Sequence, residues 1–420
     1  MQKDYLTKLL GIHGYCVTDV EEVGDSKGCR MIRIQMARTR TGYHCGGCGQ
    51  AVSKGYDHTW QELHHLHLWQ YGTVLRFPRY RVDCPTCGVR TEGVAFAVVR
   101  GPRVTRALTA LIHEICKVTT LKAVAALFGI ERRAVKEIDK QALATIQAGR
   151  SLDGITVLGA DEIAVGKGQT YWTMISALEG SRGPELLTVV EGRKERNLKK
   201  FWKGCGPDRA RQVTHAVMDM WKPFRNSFKA HCPGIQIIYD KFHIIRHLLE
   251  ALNAVRKAEF QGATKRFRGL LAGKKFILLS RQAHVRGKAR QALNQLLGAN
   301  RKLFKAHLLK ESFSHLWSYR SKTWARKFFQ GWVEQLKWSR LTPYHKFARM
   351  VEAHLDGILA TCDKKVSLGY IESSNLKARN VIRRAYGYRD KVYMKQKIIQ
   401  ACTPWMNQFH PWAATHSLGP

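Results

Sequence analysis

Residues 155–161, Ile-Thr-Val-Leu-Gly-Ala-Asp, read as a β-strand that ends on a carboxylate, Asp161. Thr170 to Ala177 (TYWTMISA) is the next apolar run, Glu179 to Gly183 (EGSRG) supplies the turn, and Glu185 to Val190 returns as the second arm of a hairpin. A short helix, Asn197 to Lys203, separates these from a fourth strand, Val213 to Met218, with Asp219 at its C-terminal end. A helix then leads to a fifth strand, Ile235 to Tyr239, followed by Asp240-Lys-Phe-His243. Strands alternating with helices predict an α/β sheet here.

Carboxylates at strand ends of an apolar sheet are costly unless they are paired or hold a cation. A lone Asp is more often a helix cap or half of a salt bridge. An ordered set from separate elements, closed by Glu372 in Gly369-Tyr-Ile-Glu372-Ser-Ser-Asn375, suits oxygen-bound divalent metal. Two Mg²⁺ ions sharing a carboxylate activate a water or 3′-hydroxyl for in-line phosphoryl transfer.

Charge points to the same chemistry. The 420 residues carry 70 Lys and Arg against 32 Asp and Glu, a formal net charge of +38. Such an excess excludes an ordinary metabolic enzyme and fits a polyanion, nucleic acid before membrane. Residues 241–350 hold 25 Lys and Arg against four acids, net +21. Solvated helix faces account for part of that run, but one-sign charge at this density repels itself unless a partner neutralises it. No apolar run approaches the roughly 20 residues of a membrane span, and MQKDYLTKLLGIHGY has no signal-peptide core. A soluble intracellular protein is expected.

Punctuation divides the chain. Residues 1–100 are β-like runs with two Cys pairs, Gly101-Pro102 is a break, 103–148 are helical, and Gly149 to Gly154 form a linker. The pairs, Cys45-Gly-Gly-Cys48-Gly and Cys84-Pro-Thr-Cys87-Gly, are zinc knuckles. Two residues between thiolates let both sulfurs reach one ion, and four thiolates close a structural site. A redox dithiol or two unrelated turns are the alternatives. The spacing predicts a ribbon with an inserted hairpin, Trp60 to Arg81, while His44, His58, His64, His65 and His67 are expected at the surface or facing DNA. Cys16, Cys29, Cys116, Cys205, Cys232, Cys362 and Cys402 have no motif and are expected as buried thiols.

Residues 120–140, TLKAVAALFGIERRAVKEIDK, carry Ala125, then Gly129, then Val135 and Ile138. This is the packing spacing of a helix-turn-helix, with Arg132, Arg133 and Lys136 presented outward to DNA. An ordinary helical hairpin with a Gly turn is the alternative. Further on, Trp317, Trp324, Phe328 and Trp332 recur at helical spacing, which favours helix core over base stacking.

With HCGGCG…CPTCG, LGADEIAVGKGQTYWT, VMDMWKPF, IIYDKFHIIRH and GYIESSNLKARNVIRRAYGYRD in hand, the chain resembles the ISL3-type DDE transposases of bacterial insertion sequences, over nearly its whole length. The resemblance implies a multidomain α+β protein: zinc ribbon, helix-turn-helix domain, and a ribonuclease H-like α/β core interrupted by an all-α insertion. Asp161, Asp219 and Glu372 match the catalytic triad that holds Mg²⁺ (or Mn²⁺), two ions per site. Asp240 is the rival for the second position and, with His243, is assigned to site support or DNA handling. Lys377, Arg379, Arg383 and Arg384 are candidates for phosphate contact, with Tyr386-Gly-Tyr388 ending their helix. The expected domains are 1–100 (ribbon, one Zn²⁺), 101–150 (helix-turn-helix), 151–243 (core), 244–365 (basic helical insertion), 366–403 (closing helical part of the core) and 404–420 (loosely held tail). The implied activity is binding of terminal inverted repeats, cleavage and strand transfer on double-stranded DNA. A homodimer or larger assembly and a bacterial cytoplasmic, nucleoid-associated location go with it. A regulator without catalysis, or a nuclease or resolvase on the same fold, are the rival classes.

Overall fold

The computed structural model describes residues 3–24, 30–98, 101–166, 170–385 and 387–410. The chain divides into two compact units, Met1–Arg150 with Ala385–Pro420, and Ser151–Arg384.

In the first unit, α1 (Lys3–Leu10) packs on β1 (Tyr15–Gly24), which pairs with β2 (Arg30–Arg38). The short pair β3 (Tyr43–His44) and β4 (Ala51–Val52) precedes a long hairpin, β5 (Gly55–Leu68) and β6 (Tyr71–Cys84), and β7 (Gly88–Thr91) adds to β6. The hairpin is longer than the expected Trp60–Arg81, because pairing continues from Gly55↔Val82 to Leu68↔Tyr71. Its alternating apolar face gives a core of Leu63, Leu75 and Phe77 with Tyr15, Ile34 and Met36. His65 corrects the surface assignment: it is largely buried, its Nδ1 is 2.9 Å from Thr105 Oγ1, and burial pushes its pKa down to about 4.

Three helices follow: α2 (Arg106–Val118), α3 (Leu121–Phe128) and α4 (Arg132–Ala148). Thr105 and Thr120 cap the first two through their side-chain oxygens. Gly129 sits between α3 and α4 at φ 63°, a left-handed conformation that other residues resist. Val124, Phe128, Val135 and Ile138 share one core with Ile112 of α2.

The second unit is built on a mixed sheet, five-stranded among the described residues: β8 (Val157–Ala164), β9 (Tyr171–Glu179), β10 (Glu185–Glu191), β11 (His215–Met218) and β12 (Gln236–Tyr239), in the order β10-β9-β8-β11-β12. The meander β8–β10 is antiparallel; β11 and β12 run parallel to β8. Strand β8 does not end on Asp161 as expected, because Glu162, Ile163 and Ala164 still pair with β9. What ends there is pairing with β11, whose last partner is Ala160↔Met218. Side chains alternate between faces. Leu158, Ala160, Ala216, Met218, Ile237 and Tyr239 face the larger core with α5 (Glu195–Cys205) and α7 (Lys222–His231), which flank α6 (Pro207–Gln212). Val157, Val217 and Ile238 face the other side.

Residues 241–362 are helical: α8 (Lys241–Gln261), α9 (Lys265–Leu271), α10 (Lys275–Leu279), α11 (Gly287–Ala299), α12 (Arg301–Phe313), α13 (Lys322–Glu334), α14 (Thr342–Ala353) and α15 (Leu355–Leu359), with short 3₁₀ turns. Trp332 is 1% exposed among Phe313, Phe329, Tyr344 and Phe347, so the aromatic stripe is core there, whereas Trp324 is 61% exposed. Helix α16 (Gly369–Arg384) closes the unit against β8. A Cβ on Gly159 would meet Ile371 Cδ1 at 3.1 Å, so the bare backbone of β8 lets α16 approach.

The stretch 366–403, expected as one closing part of the core, is divided between the units. Helix α17 (Lys391–Cys402) packs on α4 in the first unit, and α18 (Pro404–Asn407) follows it. The cause is Asp139 of α4, fully buried. It accepts from His113 Nδ1 (2.7 Å), from Lys397 Nζ (3.1 Å) and from the Tyr393 hydroxyl, the last two supplied by α17. Asp390 caps α17 through Tyr393 N (3.0 Å) and pairs with Lys140 (2.7 Å) and Lys136 (3.2 Å). The expected loose tail is held at its start: Met406 is buried and His410 N donates to Glu114 at 2.9 Å; residues 411–420 lie outside the described residues. Of the expected buried thiols, Cys116, Cys205, Cys232 and Cys402 are buried, Cys16 and Cys362 are half-buried, and Cys29 lies outside the described residues.

Burial pushes the Asp139 pKa up, but His113, Lys397 and Tyr393 outweigh it, so the carboxyl titrates below its ordinary value. Its contribution is therefore complete above about pH 4 and lost as pH falls further. Asp139→Ala leaves the largely covered Lys397 without its counter-charge. It should cost about 3–5 kcal/mol in urea unfolding at pH 7 and progressively less as pH falls below about 4.

Candidate functional site

Two groups of side chains have metal chemistry, and each lies within one unit. Cys45 and Cys48 sit between β3 and β4, Cys84 ends β6, and Cys87 lies in the turn to β7. Their four sulfurs all lie within 4.8 Å of one another. The backbone amides of Cys48 and Gly47 pull the Cys45 thiol down to about 7, toward the thiolate a metal needs. The donor set is soft, complete and fit for a closed structural zinc.

The second group follows from sheet register. Ala160, Met218 and Tyr239 are aligned across β8, β11 and β12. The next residues are Asp161, Asp219 and Asp240, and Asp240 N extends the ladder to Met218 O at 3.0 Å. Three carboxylates thus stand in one row, Asp161 within β8 where its pairing with β11 stops, and Asp219 and Asp240 just past the ends of β11 and β12. By alternation they fall on the α16 face, where the Asn375 amide of α16 donates to Asp161 Oδ2. Glu372, in the first turn of α16, is exposed, and its charge raises the proton affinity of Asp240.

His243, on the first turn of α8, lies among the row. Its Nδ1 is 3.3 Å from Asp219, and its Nε2 is 3.7 Å from Asp161 and 3.6 Å from Asp240. Burial lowers the His243 pKa, but Asp161, Asp219 and Asp240 outweigh it and hold the imidazole above its ordinary value. Burial likewise raises Asp161, yet His243, the Glu162 amide and Asn375 bring it below the usual carboxylate value. Asp240 goes the other way. Burial raises it, Phe242 N (2.8 Å) and His243 lower it in part, and Asp161 and Glu372 add to the rise. Among the described residues, only the four Cys bring three or more metal-ligating side chains within 4.8 Å of one another. The carboxylate site is more open, which suits hard cations that keep water ligands.

Sequence reasoning missed several neighbours. Asn375 lies three residues after Glu372, a spacing that places both on one helix face. Glu162 is half-buried beside Asp161, paired at 3.3 Å with Arg193, and burial raises its pKa. Arg246 reaches Asp219 at 3.7 Å.

Of the candidate DNA contacts, Arg132 and Arg133 are exposed on α4, and Lys377, Arg379, Arg383 and Arg384 are exposed on α16. Lys136 is half-buried and lies 3.2 Å from both Asp390 and Glu137, toward the α17 side. Helix α16 ends at Arg384, and Tyr386 lies outside the described residues. No helix among the described residues is long and apolar enough to cross a membrane.

Residues 42–87 match the zinc finger of the IS204/IS1001/IS1096/IS1165 transposases, and residues 158–398 match the ISL3-type DDE transposase family. The transposase for insertion sequence element IS1001 of Bordetella parapertussis is 28% identical over 402 residues, covering 95% of this chain and 98% of the relative. The transposase for insertion sequence element IS1557 of Mycobacterium tuberculosis is 25% identical over 418 residues, 91% of each chain. The family match alone spans more than half of the residues and includes every member of the carboxylate group: the chain belongs to the ISL3-type transposases of insertion sequences.

Proposed function

We propose that this protein binds the terminal inverted repeats of an insertion sequence, cleaves the DNA at the element end and joins the freed 3′-hydroxyl to another strand. The aligned row of Asp161, Asp219 and Asp240, with Glu372 beside it, carries this proposal. The strand order, an antiparallel meander followed by two parallel strands, supports a ribonuclease H-like core.

Asp161, Asp219 and Glu372 are the residues that would hold two Mg²⁺ or Mn²⁺ ions. When bound, such ions activate the attacking water or hydroxyl and stabilise the leaving oxygen. Asp219 is preferred over Asp240 because it follows the strand next to β8 and is open to solvent. Asp240 is buried and commits Oδ1 to capping α8. It supports the site from beneath and holds His243 in reach of both other carboxylates. Asn375 fixes the Asp161 carboxylate. His243, whose proton affinity its carboxylate neighbours raise, would stand beside the phosphate.

The left-handed Gly129 between α3 and α4, with Val135 and Ile138 turned inward, supports a helix-turn-helix that carries Arg132 and Arg133 to DNA. The ribbon and this pair of helices would recognise the repeats, and Lys377, Arg379, Arg383 and Arg384 would meet phosphates. Pairing two ends calls for a dimer or larger assembly.

Cleavage and joining of a labelled element-end duplex test the site. Asp161→Ala, Asp219→Ala and Glu372→Ala should each lower both activities by about 10³-fold or more while end binding persists, a loss on the scale of removing a principal transition-state contact. Asp240→Ala should fold and keep residual activity, its lost cap costing about 1 kcal/mol. A dead Asp240→Ala beside an active Asp219→Ala would reverse the two roles. Wild type that binds ends but neither cuts nor joins would favour a regulator, and cutting without joining a nuclease.

Two further outcomes follow from the binding parts. Arg132→Ala and Arg133→Ala should each flatten the slope of log affinity against log salt by about 0.9, the value for one lost phosphate contact. Lys136→Ala should leave that slope unchanged. Metal analysis should find zinc bound through the four Cys; Cys84→Ser should lose both zinc and end binding.

A further inference from the structure

Helix α13 stops at Glu334 and α14 starts at Thr342, and the turn between them is fixed from inside. Leu336 and Leu341 are buried, as is Ser339, whose N donates to Leu336 O at 2.9 Å and whose Oγ accepts from Leu341 N at 3.3 Å. Between these anchors Trp338 points out. It is 90% exposed, the most exposed large apolar side chain among the described residues. Arg340, also exposed, has φ 51°. Only Trp69 shares that left-handed conformation among the described non-glycine residues.

An indole in water gains nothing for folding, and a left-handed Arg is a strained backbone that persists only where its surroundings over-determine it. Packing within the turn does not call for Trp at position 338. The anchored turn presents this side chain outward in the segment where charge is most one-sided, net +21 over residues 241–350. Lys337 beside it is paired with Glu334 at 2.7 Å. A flat apolar ring flanked by cations is complementary to a nucleobase flanked by phosphates.

We propose that Trp338 stacks on a base of the DNA this protein holds, with Arg340 against an adjoining phosphate. This rests on the DNA-processing role proposed above. It moves the stacking function away from the stripe Trp317–Trp332, of which Trp332 is core, to a residue outside that periodicity. Trp338 is a positioning residue, because nothing places it against the reacting carboxylates.

The test uses the full chain with two duplexes of equal length, one carrying the element end and one of unrelated sequence. Each carries 2-aminopurine at successive positions. Wild type should change the fluorescence at one or two positions, and Trp338→Ala should abolish that change. Trp338→Ala should also weaken binding by about 10-fold or more, with Trp338→Phe retaining most of it, as one lost stack predicts. The urea midpoint should be unchanged, since the ring touches no core. An effect confined to the element-end duplex places the stack at the end; an effect on both places it on DNA of any sequence. Binding, cutting and joining by Trp338→Ala at wild-type level would overturn the proposal. So would a DNA-free dimer of wild type, seen by sedimentation, that Trp338→Ala alone disrupts, because the ring would then be a protein contact. If wild type binds neither duplex, the DNA-processing role itself has failed.

Discussion

Three carboxylates held in a row across three neighbouring strands are an electrostatic liability that the second unit is arranged around. Adjoining strands lie about 4.8 Å apart, and two full charges at that distance repel by roughly 3–4 kcal/mol at an effective dielectric of 20. The chain answers with basic side chains on one helix. His243 and Arg246 of α8 reach Asp219, and His243 also lies between Asp161 and Asp240. Asp240 relieves more of the strain by holding its proton more tightly. The His243 imidazole and the Arg246 guanidinium thus stand where the crowded carboxylates need counter-charge.

This constraint was legible in outline and not in register. Asp161, Asp219, Asp240 and Glu372 stand out in sequence because each follows an apolar run or opens a helix. That the first three form one row depends on which residues of β8, β11 and β12 are aligned, and no local pattern encodes a parallel register. The end of β8 is hidden from local pattern for a related reason: the hairpin with β9 continues past Asp161 although pairing with β11 stops. Asn375 was readable from its spacing to Glu372. Glu162 and Arg246 were not, because their roles come from contacts across elements.

The first unit shows a different limit. Zinc knuckles and helix caps are local, and the sequence announces them. The return of α17 to α4 is not local. It depends on Asp139 with its partners Tyr393 and Lys397, more than 250 residues away along the chain. Lys136 illustrates the consequence. On a helical wheel it belongs with Arg132 and Arg133, yet Asp390 claims it. Surface-looking cations in a basic chain can therefore be structural wherever one of its 32 acids is within reach.

Scarcity of acids also explains the helical insertion. Residues 241–350 carry too few carboxylates to pair their cations, so attraction between side-chain charges cannot hold these helices together. Apolar burial does it instead, through large rings: Trp332, Tyr344, Phe313, Phe329 and Phe347 pack as one cluster, and Tyr344 and Trp332 satisfy their polar atoms on the backbone of α12. Aromatics are favoured inside because they bury the most surface per residue. The same reasoning separates the aromatics with no structural duty. A ring that joins this cluster offsets charge repulsion, whereas one held outside it on a rigid turn adds exposed apolar surface to a domain already under strain. Stability gives no reason to keep it there, so its value lies in what the cations draw to that surface.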